Sequence, residues 1–435
     1  MNVHDSEQIE KLLQGMGYKW TDDESSADLI IINTCGIREK AEQKVYSLLG
    51  RLKYLKKVKP GLIIGVGGCV AQQNGHEFLT RVPHLDLVFG THAIHRLPEM
   101  VEGIRNSGCR VVDTAFRDSV QSLGIVAPPR NGAVSAYITI MQGCDNFCSY
   151  CVVPYLRGRE ESRSVDDIIR EIECLKNHGV REITLLGQNV NSYGNTFHGG
   201  SDFPALLRAI GKVDGIERIR FTTSHPKDLS DELMDCFASV GTLCEHIHLP
   251  VQSGSDYVLE RMNRKYTSGD YLKRVEQLRD VCPHISITSD FIVGFPGESD
   301  EDFQRTLDVM ERVRFDNSFS FKYSFRPGTA AATMDGHVDE RIKSERLSVL
   351  QSLQNIHTQL SNQADEGKVK EVLVEGFSKN DRTDVTGRTR TNKIVNFRGN
   401  IDMVGTVVSV KIIEGYAHSL RGEATAEERE KKHVG

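Results

Sequence analysis

The chain has 435 residues, with 54 Lys and Arg against 60 Asp and Glu, a net charge of −6, and 39% hydrophobic and 26% charged residues. That balance excludes a collagen, a coiled coil, a disordered chain and a small, wholly basic nucleic-acid module, but it leaves room for local basic patches. No apolar run approaches the roughly 20 residues that span a bilayer, and no start reads as a signal peptide, so a soluble, cytoplasmic protein with no membrane partner is expected.

In chain order, Asp5 or Ser6 is expected to cap a first helix running to Met16 and ended by Gly17. Residues 29–32 read as a buried parallel strand, 38–57 as a helix, and 62–66 and 85–89 as further strands. Together they suggest an open parallel α/β sheet over residues 1–113. Residues 114–132, with Pro128-Pro129, read as a linker. From 133 to 366, strands are expected at 134–141, 182–186, 216–223, 246–251, 284–293 and 317–324. Helices at 165–177 and 300–313 fall among them. Six βα units in one run point to a partial, barrel-like (β/α)6 sheet. Residues 367–430 change character. Stretches 369–377, 384–397 and 404–413 alternate as strands do, punctuated by Gly387, Gly399 and Gly405, and predict a small all-β barrel.

Two basic clusters stand against the acidic total. Residues 38–59 hold eight Lys/Arg and two Glu, and residues 379–398 hold six Lys/Arg and two Asp. Each alone could be a solvated face, while the pair favours a polyanion partner.

Ten cysteines in a chain with no secretory start point to metal ligands, thiols or buried residues rather than disulfides. Cys144, Cys148 and Cys151 are spaced C-x3-C-x2-C after the first predicted barrel strand. Three thiolates on one loop suit three irons of a cubane cluster and leave the fourth iron open. Structural zinc closes with four ligands, and residues 152–155 supply none. Cys35 and Cys69 each follow a predicted strand, where open sheets place ligands. Cys109, Cys174, Cys236, Cys244 and Cys282 share no spacing and read as incidental. Arg157, Arg159 and Arg163 follow the triplet. They could clamp a phosphate or base, or pair with Glu160 and Glu161. His248, Gln252 and Ser253 end the fourth barrel strand and could line a pocket or a core network.

The segment Gly143-Cys-Asp-Asn-Phe-Cys-Ser-Tyr-Cys-Val-Val-Pro-Tyr155, followed by Arg157-Gly-Arg-Glu160, resembles the methylthiotransferases of the radical S-adenosylmethionine superfamily. It is most similar to the branch acting on dimethylallyladenosine in tRNA. Met1-Asn-Val-His-Asp-Ser-Glu7, Gly187-Gln-Asn-Val-Asn191 and Gly387-Arg-Thr-Arg-Thr-Asn-Lys393 agree, so the resemblance spans essentially the whole chain. It implies a radical S-adenosylmethionine barrel in the middle and an RNA-binding TRAM barrel at the end. It also implies a catalytic [4Fe–4S] cluster on Cys144, Cys148 and Cys151, with S-adenosylmethionine chelated at the open iron. Tyr150, Gln188, Asn189, Gln252, Asp290 and Gly294 would contact that cofactor. Cys35 and Cys69 match two of three ligands of an auxiliary [4Fe–4S] cluster. The family's third ligand and first strand precede the position of Met1, so the chain as written is expected to hold the auxiliary cluster weakly or not at all. Arg157, Arg388, Arg390 and Lys393 would bind RNA.

The implied reaction is methylthiolation at C2 of N6-dimethylallyladenosine on the 3′ side of the anticodon. S-adenosylmethionine would serve both as methyl donor and as radical source. An electron donor such as flavodoxin or ferredoxin and a sulfur or iron–sulfur donor would be partners. The alternatives are a methylthiotransferase acting on threonylcarbamoyladenosine or a ribosomal-protein aspartate, and a non-catalytic iron–sulfur RNA-binding module. The Asp145-Asn146-Phe147 loop and Arg157-Gly-Arg-Glu160 argue against the first.

Overall fold

The structure, a computed structural model, describes residues 1–34, 39–116, 133–196, 201–379 and 381–425. Helix α1 (Asn2–Gly15) opens the chain. It starts earlier than its capping signals suggest. The Ser6 hydroxyl turns back onto the Asn2 carbonyl at 3.1 Å, and Asp5 is buried, so neither acts as a cap. There follow β1 (Leu29–Thr34), α2 (Glu39–Val58), β2 (Ile63–Gly68), α3 (Cys69–Arg81), β3 (Leu87–Phe89), α4 (Leu97–Ser107) and β4 (Val111–Asp113). The four strands are parallel in the order β1-β2-β3-β4. Side chains alternate between two cores. Ile64, Val66 and Val88 join one with Leu49 and Phe78, and Ile63, Leu87 and Phe89 join the other with Ile9 and Leu97. Helices on both faces explain why these strands read as continuous apolar runs.

The middle of the chain continues with β5 (Ser135–Thr139), β6 (Met141–Gln142), α5 (Val153–Arg157), β7 (Glu161–Ser162), α6 (Val165–Asn177), β8 (Glu182–Leu186), α7 (Phe203–Ile210), β9 (Arg218–Phe221) and α8 (Asp231–Ser239). Then come β10 (His246–His248), α9 (Asp256–Arg261), α10 (Ser268–Val281), β11 (Ser286–Val293), α11 (Asp300–Val313), β12 (Asn317–Lys322) and α12 (Glu340–Gln363). Six strands pair in parallel as two triplets, β5-β8-β9 and β10-β11-β12, with an Ile219–Leu243 bridge beside the break. Helix starts follow the local chemistry. Ser164, Ser230, Thr267 and Ser299 accept from the N3 amides of α6, α8, α10 and α11.

The tail is a closed barrel of β13 (Val369–Phe377), β14 (Asp384–Thr389), β15 (Ile394–Arg398), β16 (Val407–Gly415) and β17 (Leu420–Ala424). Its core is Val372, Val374, Val385, Phe397, Val410 and Ile412. The expected strand at 384–397 is in fact a hairpin, turned at Asn392 with φ +65°. Strand β17 gave no separate sequence signal.

The chain forms two compact units. The first is Met1–Ala127 with Met141–Phe147 and Cys151–Arg163, and the second is Pro128–Ile140, Cys148–Tyr150 and Ser164–Gly435. The tail barrel belongs to the second because two buried arginines of β9 hold its backbone. Arg218 donates to the carbonyls of Arg388 (2.6 Å) and Glu371 (3.1 Å). Arg220 donates to those of Arg390 (3.0 Å) and Thr389 (2.7 Å), and to Glu182 at 2.9 Å. Arg390 returns the contact, with its Nε 2.9 Å from both oxygens of Glu245. Arg390→Glu sets a second carboxylate against Glu245 and is expected to cost about 3 kcal/mol. Limited proteolysis should then cut the connection at residues 364–368 faster, and an unchanged cutting rate would show that the arginine does not anchor the barrel.

Candidate functional site

In the second unit the site residues gather at the carboxyl ends of parallel strands, where open α/β sheets bind ligands. Cys148 is buried, and the chain beside it is pinned. The Ser149 amide donates to the Met262 carbonyl at 3.0 Å, and its hydroxyl to the Arg261 carbonyl at 2.7 Å. Tyr150 packs on Val258, Met262, Phe295 and Tyr323. Arg264, which sequence reasoning missed, fills the centre. Its Nη1 lies 3.3 Å from Cys148 Sγ and 3.4 Å from the Tyr150 hydroxyl, Nη2 donates to the Pro250 carbonyl at 2.8 Å, and Nε to Tyr266 at 2.9 Å. Burial opposes its charge, but Tyr150, Tyr266 and Cys148 more than offset that, so the guanidinium holds its proton more tightly than in water. No carboxylate appears among these partners, so the cation suits an anionic ligand. Asn263 and Lys265, both at positive φ, flank Arg264, and the asparagine in that turn was the available signal.

Around this centre several buried polar atoms have no hydrogen-bond partner. They are Gln188 Oε1 and Asn189 Oδ1 after β8, and Ser224 Oγ and His225 Nε2 after β9. Asn189 spends its amide on Asp228 at 2.7 Å. Gln252, with φ +70°, bridges to β11 through the Asp290 carbonyl (2.9 Å) and the Ile292 amide (3.0 Å). The Asp290 carboxylate lies 3.4 Å from His248 Nε2. Gly294 has φ +69°, and a Cβ there would strike the Lys343 side chain. The structure therefore brings Gln252, Asp290 and His248 together and leaves unpaired acceptors at Gln188 and Asn189. Such orphaned groups suit a polar ligand bearing donors.

In the first unit, β6 and β7 pair antiparallel at the base of the cysteine loop. Gly143, at φ +79°, is required there because a Cβ would strike the Arg159 carbonyl. Cys144 is buried, and the Val153 amide points at Cys151 Sγ from 3.5 Å. Cys69 begins α3. The β1–β2 ladder ends at Thr34–Gly68, one residue before Cys35 and Cys69 in each strand. Cys35 itself lies outside the described residues. Buried Arg157 hydrogen-bonds Cys69 and pairs with Asp5 at 2.6 Å. Cys69, Cys144, Cys148 and Cys151 form no disulfide, and among the described residues no three His, Cys, Asp or Glu side chains are gathered closely enough to hold a metal ion. The donor chemistry fits sulfur-ligated iron. It supplies three thiols on one loop, an amide N–H aimed at one sulfur and a guanidinium at another.

The residues expected to contact RNA have partners within the protein. Arg157 is buried and pairs with Asp5. Arg390 is engaged by Glu245. Lys393 donates to Ser361 and, at 2.9 Å, to Asp365, while Arg388 pairs with Glu375 at 3.2 Å. Arg390 and Lys393 tie the barrel to Glu245 and Asp365, and Arg388 pairs within the barrel. Local charge counts could not show this, because the carboxylates that answer them come from distant parts of the chain.

Three buried histidines give the molecule an acid limit. Burial lowers His4 to about 4, His225 to about 2 and His246 to about 3 from the usual 6.5. The unfolded chain protonates each as pH falls through about 6.5, while the folded chain does so only at the lowered value. Stability is therefore undiminished by these groups above pH 6.5 and falls below it, by about 1.4 kcal/mol per pH unit per histidine. Urea unfolding between pH 7.5 and 4.5 should show this slope, and His246→Gln should reduce it. An unchanged slope would mean His246 is not buried neutral.

Comparison with known proteins gives a consistent result. Family models match residues 138–310 (Radical SAM superfamily), 1–90 (Uncharacterized protein family UPF0004) and 363–425 (TRAM domain). The chain is 61% identical over 428 residues, 98% of its length and 93% of the relative's, to a tRNA-2-methylthio-N(6)-dimethylallyladenosine synthase of Syntrophus aciditrophicus (strain SB). It is 52% identical to one of Geotalea uraniireducens (strain Rf4), covering 97% and 96% of the two chains. In fold it is similar to the radical S-adenosylmethionine methyltransferase TsrM from Kitasatospora setae, with TM-score 0.56 and 16% identity over 76% of this chain and 74% of that one.

Proposed function

The chain belongs to the tRNA-2-methylthio-N(6)-dimethylallyladenosine synthase family of radical S-adenosylmethionine enzymes, and from that membership we propose a role for each part of its site. The enzyme methylthiolates C2 of N6-dimethylallyladenosine in tRNA, using S-adenosylmethionine as methyl donor and radical source. Cys144, Cys148 and Cys151 hold the catalytic [4Fe–4S] cluster, and Cys35 and Cys69 are ligands to the auxiliary one. When bound, the cluster and S-adenosylmethionine supply one-electron chemistry able to attack an aromatic C–H bond that no ordinary base removes. The single observation carrying the assignment is the C-x3-C-x2-C loop with buried Arg264 against its middle cysteine. Arg264 offers a fixed cation for an anionic ligand. Gln188, Asn189, Gln252 and Asp290 offer polar contacts, and Tyr150 and Gly294 shape the wall.

Residues 1–113, 133–366 and 367–430 serve as cluster-bearing, radical and RNA-binding domains, joined by 114–132. One-electron chemistry needs a donor such as flavodoxin or ferredoxin, and the added sulfur needs a sulfur or iron–sulfur donor. A cytoplasmic location suits an enzyme that acts on tRNA, and no described helix is long and apolar enough to cross a membrane. Mass spectrometry of tRNA nucleosides from cells with and without the chain tests the activity. Equal levels of the methylthio nucleoside would refute it.

With Arg388, Arg390 and Lys393 engaged internally, the RNA face of the barrel shifts to exposed Lys379, Arg382 and Arg398. Arg398 pairs in register with Asp384, so it stands beside the β13–β14 turn that carries the other two. Asp381 lies in that turn, its carboxylate already accepting from the Thr383 amide and hydroxyl at 2.8 and 2.9 Å. Reversing the three cations is expected to lower the salt slope of tRNA binding by about 2–3 units. An unchanged slope would place the phosphates elsewhere.

A further inference from the structure

We propose that Phe147, Tyr155 and Arg159 form a stacking platform for an unstacked nucleobase of the RNA loop carrying the target adenosine. The proposal deepens the tRNA reading above and rests on it. All three side chains belong to the first unit. The Arg159 guanidinium lies over the Phe147 ring, 4.7 Å from its centre, and Asp145 accepts from it at 3.2 Å, which fixes its plane. The Tyr155 ring stands at 80° to that of Phe147, 6.2 Å away. Arg159 is 75% exposed and Tyr155 about half exposed. A guanidinium backed by a ring on one side offers a flat cationic face on the other, with an aromatic wall beside it. Single-stranded bases stack on arginine planes and aromatic rings alike.

A second observation concerns the backbone. Phe147 has φ +46°, a left-handed conformation that is strained for a bulky side chain. A turn alone would be better served by glycine or asparagine, and Asn146 stands one residue earlier. The ring is kept where the backbone disfavours it, immediately before Cys148 in the chain. The reaction supplies a reason. Presenting C2 of the target requires that adenosine to leave its stack, and a neighbouring base then loses a partner that the platform can replace.

The test uses anticodon stem-loop RNAs with 2-aminopurine on the 5′ or the 3′ side of the target. They are titrated with the anaerobic, cluster-loaded enzyme and S-adenosylmethionine, without reductant. The parent should quench the fluorescence of one of the two RNAs. Phe147→Gly, Tyr155→Ala and Arg159→Gln should each weaken binding about tenfold and lose that quenching, while Phe147→Tyr keeps both. Glycine relieves the strained φ, so Phe147→Gly should hold its thermal midpoint, which separates lost stacking from misfolding. Parent-like affinity and quenching in Phe147→Gly would overturn the platform. Failure of the parent to bind either RNA would overturn the tRNA reading itself.

Discussion

Cys148→Ala is expected to abolish formation of 5′-deoxyadenosine from S-adenosylmethionine, with a drop in reconstituted iron equal to one cluster. Two arguments converge. The substitution removes one of three thiolates on the loop, and a cubane with two protein ligands is not held against exchange. It also strips Arg264 of its sulfur partner and leaves a buried guanidinium with only neutral acceptors at Tyr150, Tyr266 and Pro250. The second effect alone would lower stability without touching catalysis, so Cys148→Ser is the informative companion. Its hydroxyl still accepts from Arg264, and the fold should recover while turnover stays absent. Cys244→Ala, in a buried thiol raised by burial and placed in no site, should keep full activity. Cofactor cleavage at the parent rate by Cys148→Ala would remove the loop from the mechanism.

Asp5→Ala should be the most destabilising single change in the first unit, by about 3–5 kcal/mol. The pair it breaks is short, at 2.6 Å, and both side chains are about nine-tenths buried. Without the carboxylate, Arg157 becomes an uncompensated charge held in place by α5. The stability loss should come with a change at Cys69, whose sulfur the same guanidinium reaches. Asp5→Ala with Arg157→Met should recover most of the loss, because a buried pair replaced by apolar groups of similar size costs little. A double-mutant cycle in urea measures this. A loss under 1 kcal/mol for Asp5→Ala would show that the pair is solvated and not structural.

These two residues mark what local sequence can show and what it cannot. The cysteine triplet was legible as a candidate because its three thiols lie within eight residues and spacing carries the signal. Helices 165–177 and 300–313 were legible for a similar reason, with Ser164 and Ser299 announcing them locally. Asp5 was read as a cap because its partner is 152 positions away in sequence. Arg388, Arg390 and Lys393 were read as an RNA face because Glu375, Glu245 and Asp365 cannot be paired with them from composition. Arg264 went unnoticed because a single arginine in a turn has no motif until tertiary structure folds it against Cys148. Strand β4, three residues long, and strand β17 lacked enough alternation to register.

The way Arg218 and Arg220 grip the tail barrel bears on how this protein can change over generations. Their acceptors are main-chain carbonyls at positions 371 and 388–390, and every amino acid supplies the same carbonyl. The side chains of that hairpin are therefore free to drift without loosening those four bonds, whereas the two arginines are not. Outside Arg390 and Lys393, whose side chains also anchor the barrel, substitutions that retune it for other RNAs can accumulate without touching those four bonds. A comparison of many relatives should find positions 218 and 220 fixed, with no covariation linking them to the hairpin they hold.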